Sequence, residues 1–75
     1  MISLSKAKQG DLVVIKKIEG GGAMVHRMAE MGLRTGVQVK VVRMCGPAIL
    51  ELQGHRVIVG RGMVERVMVE KQTED

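Results

Sequence analysis

The chain has 75 residues, a formal net charge of +4, 45% hydrophobic residues and neither Phe, Tyr nor Trp. This length predicts one domain over residues 1–75, with an ordered body over about 4–69 and a frayed tail over 70–75. Without aromatic side chains, the surface cannot stack single-stranded bases or line an aromatic groove for proline-rich peptides.

The composition also bears on the cellular compartment. A membrane-spanning helix needs about 20 apolar residues, whereas the uncharged run 44–50 has seven. The N-terminus lacks the apolar segment of a secretory signal. Cys45 is the single cysteine, so no intramolecular disulfide can form. We therefore expect a cytoplasmic protein.

The charges are divided unevenly along the chain. Residues 1–69 carry eleven basic and five acidic side chains, whereas residues 70–75 carry one basic and three acidic side chains. A basic body can attract phosphate or an acidic protein face, or it can simply be a solvated surface.

The first predicted strand covers residues 12–18, which are rich in β-branched side chains. Its alternation is imperfect, because Ile15 and Ile18 are three residues apart. This spacing predicts a β-bulge or a strong bend. The glycines at 20–22 end the strand.

A change of period predicts one short α-helix after these glycines. Met24, Met28 and Met31 follow the spacing i, i+4, i+7 of an amphipathic helix. Gly32 is the expected left-handed residue of a Schellman motif, with Leu33 packed against Met28.

The remaining strands follow from alternation and turn residues. Residues 37–41 alternate Val with polar side chains, as in a half-buried strand. Gln53-Gly54 predicts the two-residue loop of a hairpin. A connection over 60–66, with room for a helical turn, leads to a last strand over 67–69. The hairpin register pairs Leu52 with His55, Glu51 with Arg56, Leu50 with Val57, Ile49 with Ile58 and Ala48 with Val59.

Five short strands and one short α-helix predict a mainly β fold. A small sheet avoids exposed edges by closing, so we expect a small, closed or nearly closed SH3-like five-stranded barrel.

Several segments together resemble the ferrous iron transport protein A family. The most specific is Arg27-Met28-x-x-Met31-Gly32-Leu33-x-x-Gly36-x-x-Val39. Met28 stands where the family usually has Leu. The other segments are Gly10-x-x-x-x-Ile15-x-x-Ile18-x-Gly20, Gly46-Pro47-Ala48-Ile49-Leu50-Glu51-Leu52 and Val64-x-x-Val67-x-Val69.

The resemblance implies a cytosolic, non-enzymatic accessory protein with an SH3-like fold. Members of this family associate with the membrane ferrous iron transporter, whose cytosolic part binds GTP, and support its uptake activity. The resemblance also implies that the same module forms the C-terminal domain of iron-dependent repressors. Weak binding of a transition metal ion such as zinc or iron stays open.

We place the partner-binding surface on the predicted helix and its exit, where the resemblance is sharpest. Two other interpretations stay open: the methionines can pack the helix on the barrel, and arginine and glutamate side chains can pair locally. The hairpin end at 53–55 is the alternative surface. The candidate residues are Met24, Arg27, Glu30, Met31 and Arg34.

Four side chains are candidate metal ligands: His26, Glu30, Cys45 and His55. His26 and Glu30 are four residues apart on the helix, but two ligands do not make a metal site. We therefore assign no metal site, and we expect Cys45 to be a small, half-buried apolar residue.

We predict no catalytic residues and no cofactor. The triglycine at 20–22 precedes a helix, but the lysine of a phosphate-binding P-loop is missing, so a flexible connector is favoured. Two alternative functions stay open. A basic RNA- or ribosome-binding barrel would lose affinity steeply with salt, and a metal-responsive regulatory domain would bind metal tightly.

Overall fold

Six strands and two α-helices make up the computed structural model, which describes residues 1–72. The predicted tail therefore lies partly outside the described residues. In chain order the elements are β1 (Ile2–Ser3), a 3₁₀ turn (Leu4–Lys6), β2 (Leu12–Ile18), α1 (Gly22–Glu30), β3 (Gln38–Met44), β4 (Ala48–Leu52), β5 (His55–Val59), α2 (Arg61–Val64) and β6 (Val67–Lys71).

The mainly β fold is confirmed, with differences in the number of elements. The N-terminal residues add a sixth strand, since Ile2 and Ser3 pair with Val69 and Met68 of β6. The connection after β5 forms α2. A two-residue strand has no alternation that a sequence pattern could reveal.

All strand pairs are antiparallel, in the order β1-β6-β2-β3-β4-β5. Among the described residues, β1 and β5 occupy the two ends of this order and do not pair with each other. The sheet is therefore not closed by a continuous hydrogen-bond ladder.

The predicted irregularity in β2 is a β-bulge. Ile15 pairs with Val69 of β6, but the next paired residue is Lys17, opposite Met68. The additional residue, Lys16, lets Ile15 and Ile18 both face the core while the two lysines remain exposed. The prediction from the spacing of the isoleucines is confirmed.

The hairpin register is confirmed at all five predicted pairs, from Leu52–His55 to Ala48–Val59. Gln53 and Gly54 have φ values of +49° and +83°, the left-handed pair of a type I′ turn.

Only apolar side chains are buried in residues 1–72. They come from the inner face of the sheet, from α1 and α2, and from the connections before β2 and after α1, and Leu4 of the 3₁₀ turn is fully buried among them. The Ser3 hydroxyl donates to the Glu65 carbonyl over 3.3 Å, which ties the N-terminus to the connection between α2 and β6.

Strand β6 is two residues longer than the predicted strand and includes Glu70 and Lys71, which the sequence analysis assigned to the tail. Lys71 pairs with Val13, and the Gln72 N–H donates to the Leu12 carbonyl over 2.8 Å. Neither helix in residues 1–72 has the length and apolar character that a bilayer crossing requires.

Candidate protein-binding site at the helix exit

Helix α1 packs on the sheet through its methionines. Met28 is completely buried, and Met24 and Met31 are half-buried against the core. The interpretation that the stripe packs the helix is confirmed. As a result, Met24 and Met31 offer only part of their surface to a partner.

The end of α1 is the predicted Schellman motif. Gly32 has φ +88°, its N–H donates to the Ala29 carbonyl, and the Leu33 N–H donates to the Met28 carbonyl, both over 2.9 Å. Met28 and Leu33 are both fully buried. The motif therefore fixes the direction in which the chain leaves the helix, and with it the position of Arg34.

Three of the five predicted contact residues meet the hairpin loop in one cleft. This cleft, the helix-exit cleft, has a volume of about 270 Å³. It joins the predicted surface to the hairpin end, which the sequence analysis treated as an alternative. Its lining residues are Glu30, Met31, Gly32, Arg34, Val37, Leu52, Gln53 and His55.

The other two predicted residues lie elsewhere on the helix. Met24 and Arg27, together with Ala23, line a separate depression of about 240 Å³ near the N-terminal half of α1. The five residues thus form two patches along the helix.

The charges around the helix exit are exposed. The Glu30 carboxylate lies 3.6 Å from the His26 Nε2 atom, so its local partner is histidine and not Arg27. The other ion pair in residues 1–72 joins Lys71 to Asp11. Arg27 and Arg34 take part in neither pair, which leaves their guanidinium groups available to an acidic partner.

The four candidate metal ligands are dispersed over the surface. Cys45 is in the turn between β3 and β4, and His55 begins β5. No three such side chains cluster within residues 1–72. The candidates that lie close together are His26 and Glu30, both largely exposed.

The expectation that Cys45 is half-buried is wrong, because the thiol is exposed. The Cys45 N–H and Sγ both approach the Pro47 carbonyl, at 3.1 and 3.8 Å. This tight turn directs the side chain away from the core, and the preceding Met44 packs there in its place.

The triglycine has a packing role at its first residue. Gly20 has φ +140°, and a Cβ there would lie 3.0 Å from Met24 Cγ. Gly21 caps α1 without a side-chain hydrogen bond. The first glycine therefore permits a close turn onto the helix.

A second cleft on the opposite flank of α1 was not anticipated. It contains Lys16 and Lys17 of the bulge, Val25 and Ala29 of the helix, and Arg34. Two sequence signals point to it in retrospect: the interrupted alternation at the lysines and the position of Val25 beside the methionine stripe.

Comparison with known proteins assigns the family. The FeoA domain model matches residues 2–71, nearly the whole chain. The chain belongs to the FeoA family. This is a family of ferrous iron transport accessory proteins. The family that the sequence motifs resemble is thereby confirmed.

Among curated proteins, this FeoA-family chain is 38% identical over 71 residues to a protein of Methanocaldococcus jannaschii whose name describes it as an Fe(2+) transport protein A. The alignment covers 93% of this chain and 87% of that relative.

Solved structures agree with this assignment. A crystal structure named as an iron uptake regulatory protein, FeoA, is 34% identical, with a TM-score of 0.86 over 95% of this chain and 96% of that one. The manganese-activated repressor ScaR has the same TM-score at 16% identity, but the match covers only 35% of its chain. That likeness shows the fold alone. It confirms that metal-dependent repressors share this SH3-like module.

Proposed function

We propose that this FeoA-family protein supports ferrous iron uptake by binding the cytosolic, GTP-binding part of the membrane ferrous iron transporter. It acts without chemistry of its own, on the cytoplasmic side of the membrane. The family and the name of the 38% identical relative support a role in Fe(2+) transport. The observation that carries the proposed contact is the helix-exit cleft.

The composition of the helix-exit cleft suits a protein partner. Met31 and Val37 supply partly exposed apolar surface beside the buried Leu52, while Glu30 and Arg34 add exposed charges of both signs. An apolar centre with a polar, arginine-containing rim is typical of protein interfaces. Arg27 and Met24 extend the surface along the helix. The proposed contact residues are therefore Met24, Arg27, Glu30, Met31 and Arg34.

A charge-reversal variant tests the proposed contact. Arg27→Glu with Arg34→Glu should weaken binding to the purified cytosolic domain of the transporter by about tenfold or more, because interface arginines commonly dominate binding. Both side chains are exposed, so the melting temperature should change little.

Lys8→Glu with Arg43→Glu is the matched control. It makes the same change in net charge at exposed positions that line neither the helix-exit cleft nor the depression beside Arg27. Equal binding by the two double variants would overturn the helix surface. If binding is instead lost selectively when Gln53 and His55 are changed, the contact lies at the hairpin end.

We further propose that any transition metal ion is bound weakly, through His26 and Glu30. Two exposed ligands leave most of the coordination to water. Zinc titration by calorimetry should give low affinity that falls further with His26→Ala. Tight, stoichiometric binding would instead support a metal-responsive regulatory domain.

A further inference from the structure

The second cleft on α1, called the basic groove below, has a volume of about 380 Å³. It runs between the end of β2, the flank of α1 and the segment that follows the Schellman motif. Its lining residues are Lys16, Lys17, Ile18, Val25, Ala29, Leu33, Arg34 and Thr35.

The floor of the basic groove is apolar. Ile18 and Leu33 belong to the buried core, whereas Val25 is 43% exposed and Ala29 is partly exposed. Val25 is one of three large apolar side chains classed as exposed in residues 1–72. An apolar side chain of a partner could therefore remove further area of Val25 and Ala29 from water.

The rim of the basic groove is positive. Lys16, Lys17 and Arg34 are all exposed, and no carboxylate lines the groove. None of the three takes part in an ion pair within residues 1–72. Three cations around a concave apolar floor concentrate positive potential, which attracts an acidic ligand.

The backbone of β2 adds hydrogen-bonding groups to the groove. The Glu19 N–H donates to the Arg66 carbonyl over 2.7 Å, toward β6. Because neighbouring residues of a strand direct their polar groups to opposite sides, the N–H and C=O of Ile18 point away from β6. The bonds of β2 toward β3 end at Ile15, which pairs with Val37 and Gly36. Within residues 1–72, Ile18 therefore has a partner strand only on the side of β6, and its other side is an unpaired strand edge beside the groove.

From these three features we propose that the basic groove binds an extended acidic segment of a partner protein. An apolar side chain of that segment covers Val25 and Ala29, flanking carboxylates face Lys16, Lys17 and Arg34, and its backbone pairs with Ile18. The unpaired strand edge favours a polypeptide over a lipid surface, which offers no backbone. This inference concerns a surface separate from the transporter contact proposed above, although both surfaces include Arg34.

A synthetic peptide tests the proposal. The probe is a capped peptide in which leucines alternate with aspartates and glutamates, and its control carries lysine in place of every acidic residue. In NMR spectra of the ¹⁵N-labelled protein, the acidic peptide should shift the amide signals of Lys16–Ile18, Val25 and Ala29, and the control should not. Shifts located elsewhere, or absent, would overturn the proposal.

Paired variants measure the role of the rim. Lys16→Glu with Lys17→Glu should weaken peptide binding by about tenfold or more, whereas Lys6→Glu with Lys8→Glu, the same charge change outside the groove, should alter it by less than about threefold. An equal loss of peptide binding in both variants would mean that the attraction is non-specific, and it would overturn the proposed site. Binding to phosphatidylserine vesicles without binding to the peptide would replace the proposal with a lipid surface. If the variant with Lys16→Glu and Lys17→Glu fails to fold, the amide shifts mapped on the unmodified protein still test the proposal.

Discussion

Gly32 meets two constraints at once. Its φ of +88° lies in the left-handed region, and a Cβ built on it would lie 2.8 Å from Leu52 Cδ2. The first constraint ends α1, and the second lets the helix end approach β4 closely. Since Leu52 also lines the helix-exit cleft, this glycine sets both the helix terminus and one wall of the candidate site.

Replacing Gly32 with valine should destabilise the protein. A β-branched residue is strained at positive φ, at a cost on the order of 1–3 kcal/mol, and contact with Leu52 adds to it. Thermal or urea unfolding measures the change. Gly36→Val is the matched control, because Gly36 has φ +91° but open space around its Cβ. We expect Gly36→Val to lose less stability; an unchanged melting temperature for Gly32→Val would contradict the Schellman cap.

Among the charged residues that the structure describes, Arg34 alone lines both the helix-exit cleft and the basic groove. A change at Arg34 alone therefore cannot separate the two surfaces. Glu30 reports on the helix-exit cleft, and Lys16 and Lys17 report on the basic groove.

The turn of the β4–β5 hairpin contains a residue that does not favour the backbone conformation it adopts there. Gln53 is the one non-glycine residue in residues 1–72 with positive φ. Type I′ turns favour Asn-Gly, because asparagine tolerates the left-handed region better than glutamine. The register holds nonetheless, since Ala48, Leu50 and Leu52 are all buried and slipping by one residue would expose them.

Gln53→Asn should therefore stabilise the hairpin. We expect a gain of a few tenths of a kcal/mol up to about 1 kcal/mol in the free energy of unfolding, measured by urea denaturation. Gln53→Val is the opposing control and should destabilise the protein, because valine is disfavoured at positive φ. Equal stabilities for the two variants would mean that turn strain does not limit this hairpin.

At the scale of the whole molecule, the core and the charges are separated. Every buried side chain in residues 1–72 is apolar, and the charged groups lie at the surface. The charged side chains of residues 1–72 are therefore accessible to solvent and to partners.

The purified protein alone should hydrolyse no GTP, because the chain contains no Walker A lysine and no recognisable nucleophile–base pair. Phosphate release should equal that of a buffer blank. Turnover above the blank that a single point change abolishes would contradict this prediction, whereas turnover that survives such changes would indicate a contaminant.

The sequence by itself determined the features that depend on neighbouring residues. The spacing of Ile15 and Ile18 predicted the bulge, Gly32 with its apolar neighbours predicted the helix end, and Gln53-Gly54 predicted the hairpin register. Each signal is local: a backbone angle that glycine permits, or a period that apolar side chains must follow to remain buried. The sharpest family motif lies over the same helix end.

The tertiary structure decided what depends on residues distant along the chain. Strand β1 exists because Ile2 and Ser3 lie beside β6, and two residues carry no period of their own. Glu30 and Arg34 share a cleft with His55 because α1 ends against the hairpin, whereas Arg27 lies in a separate depression. The basic groove likewise needs β2 and α1 side by side. Such juxtapositions arise from packing of the core, so no local pattern specifies them.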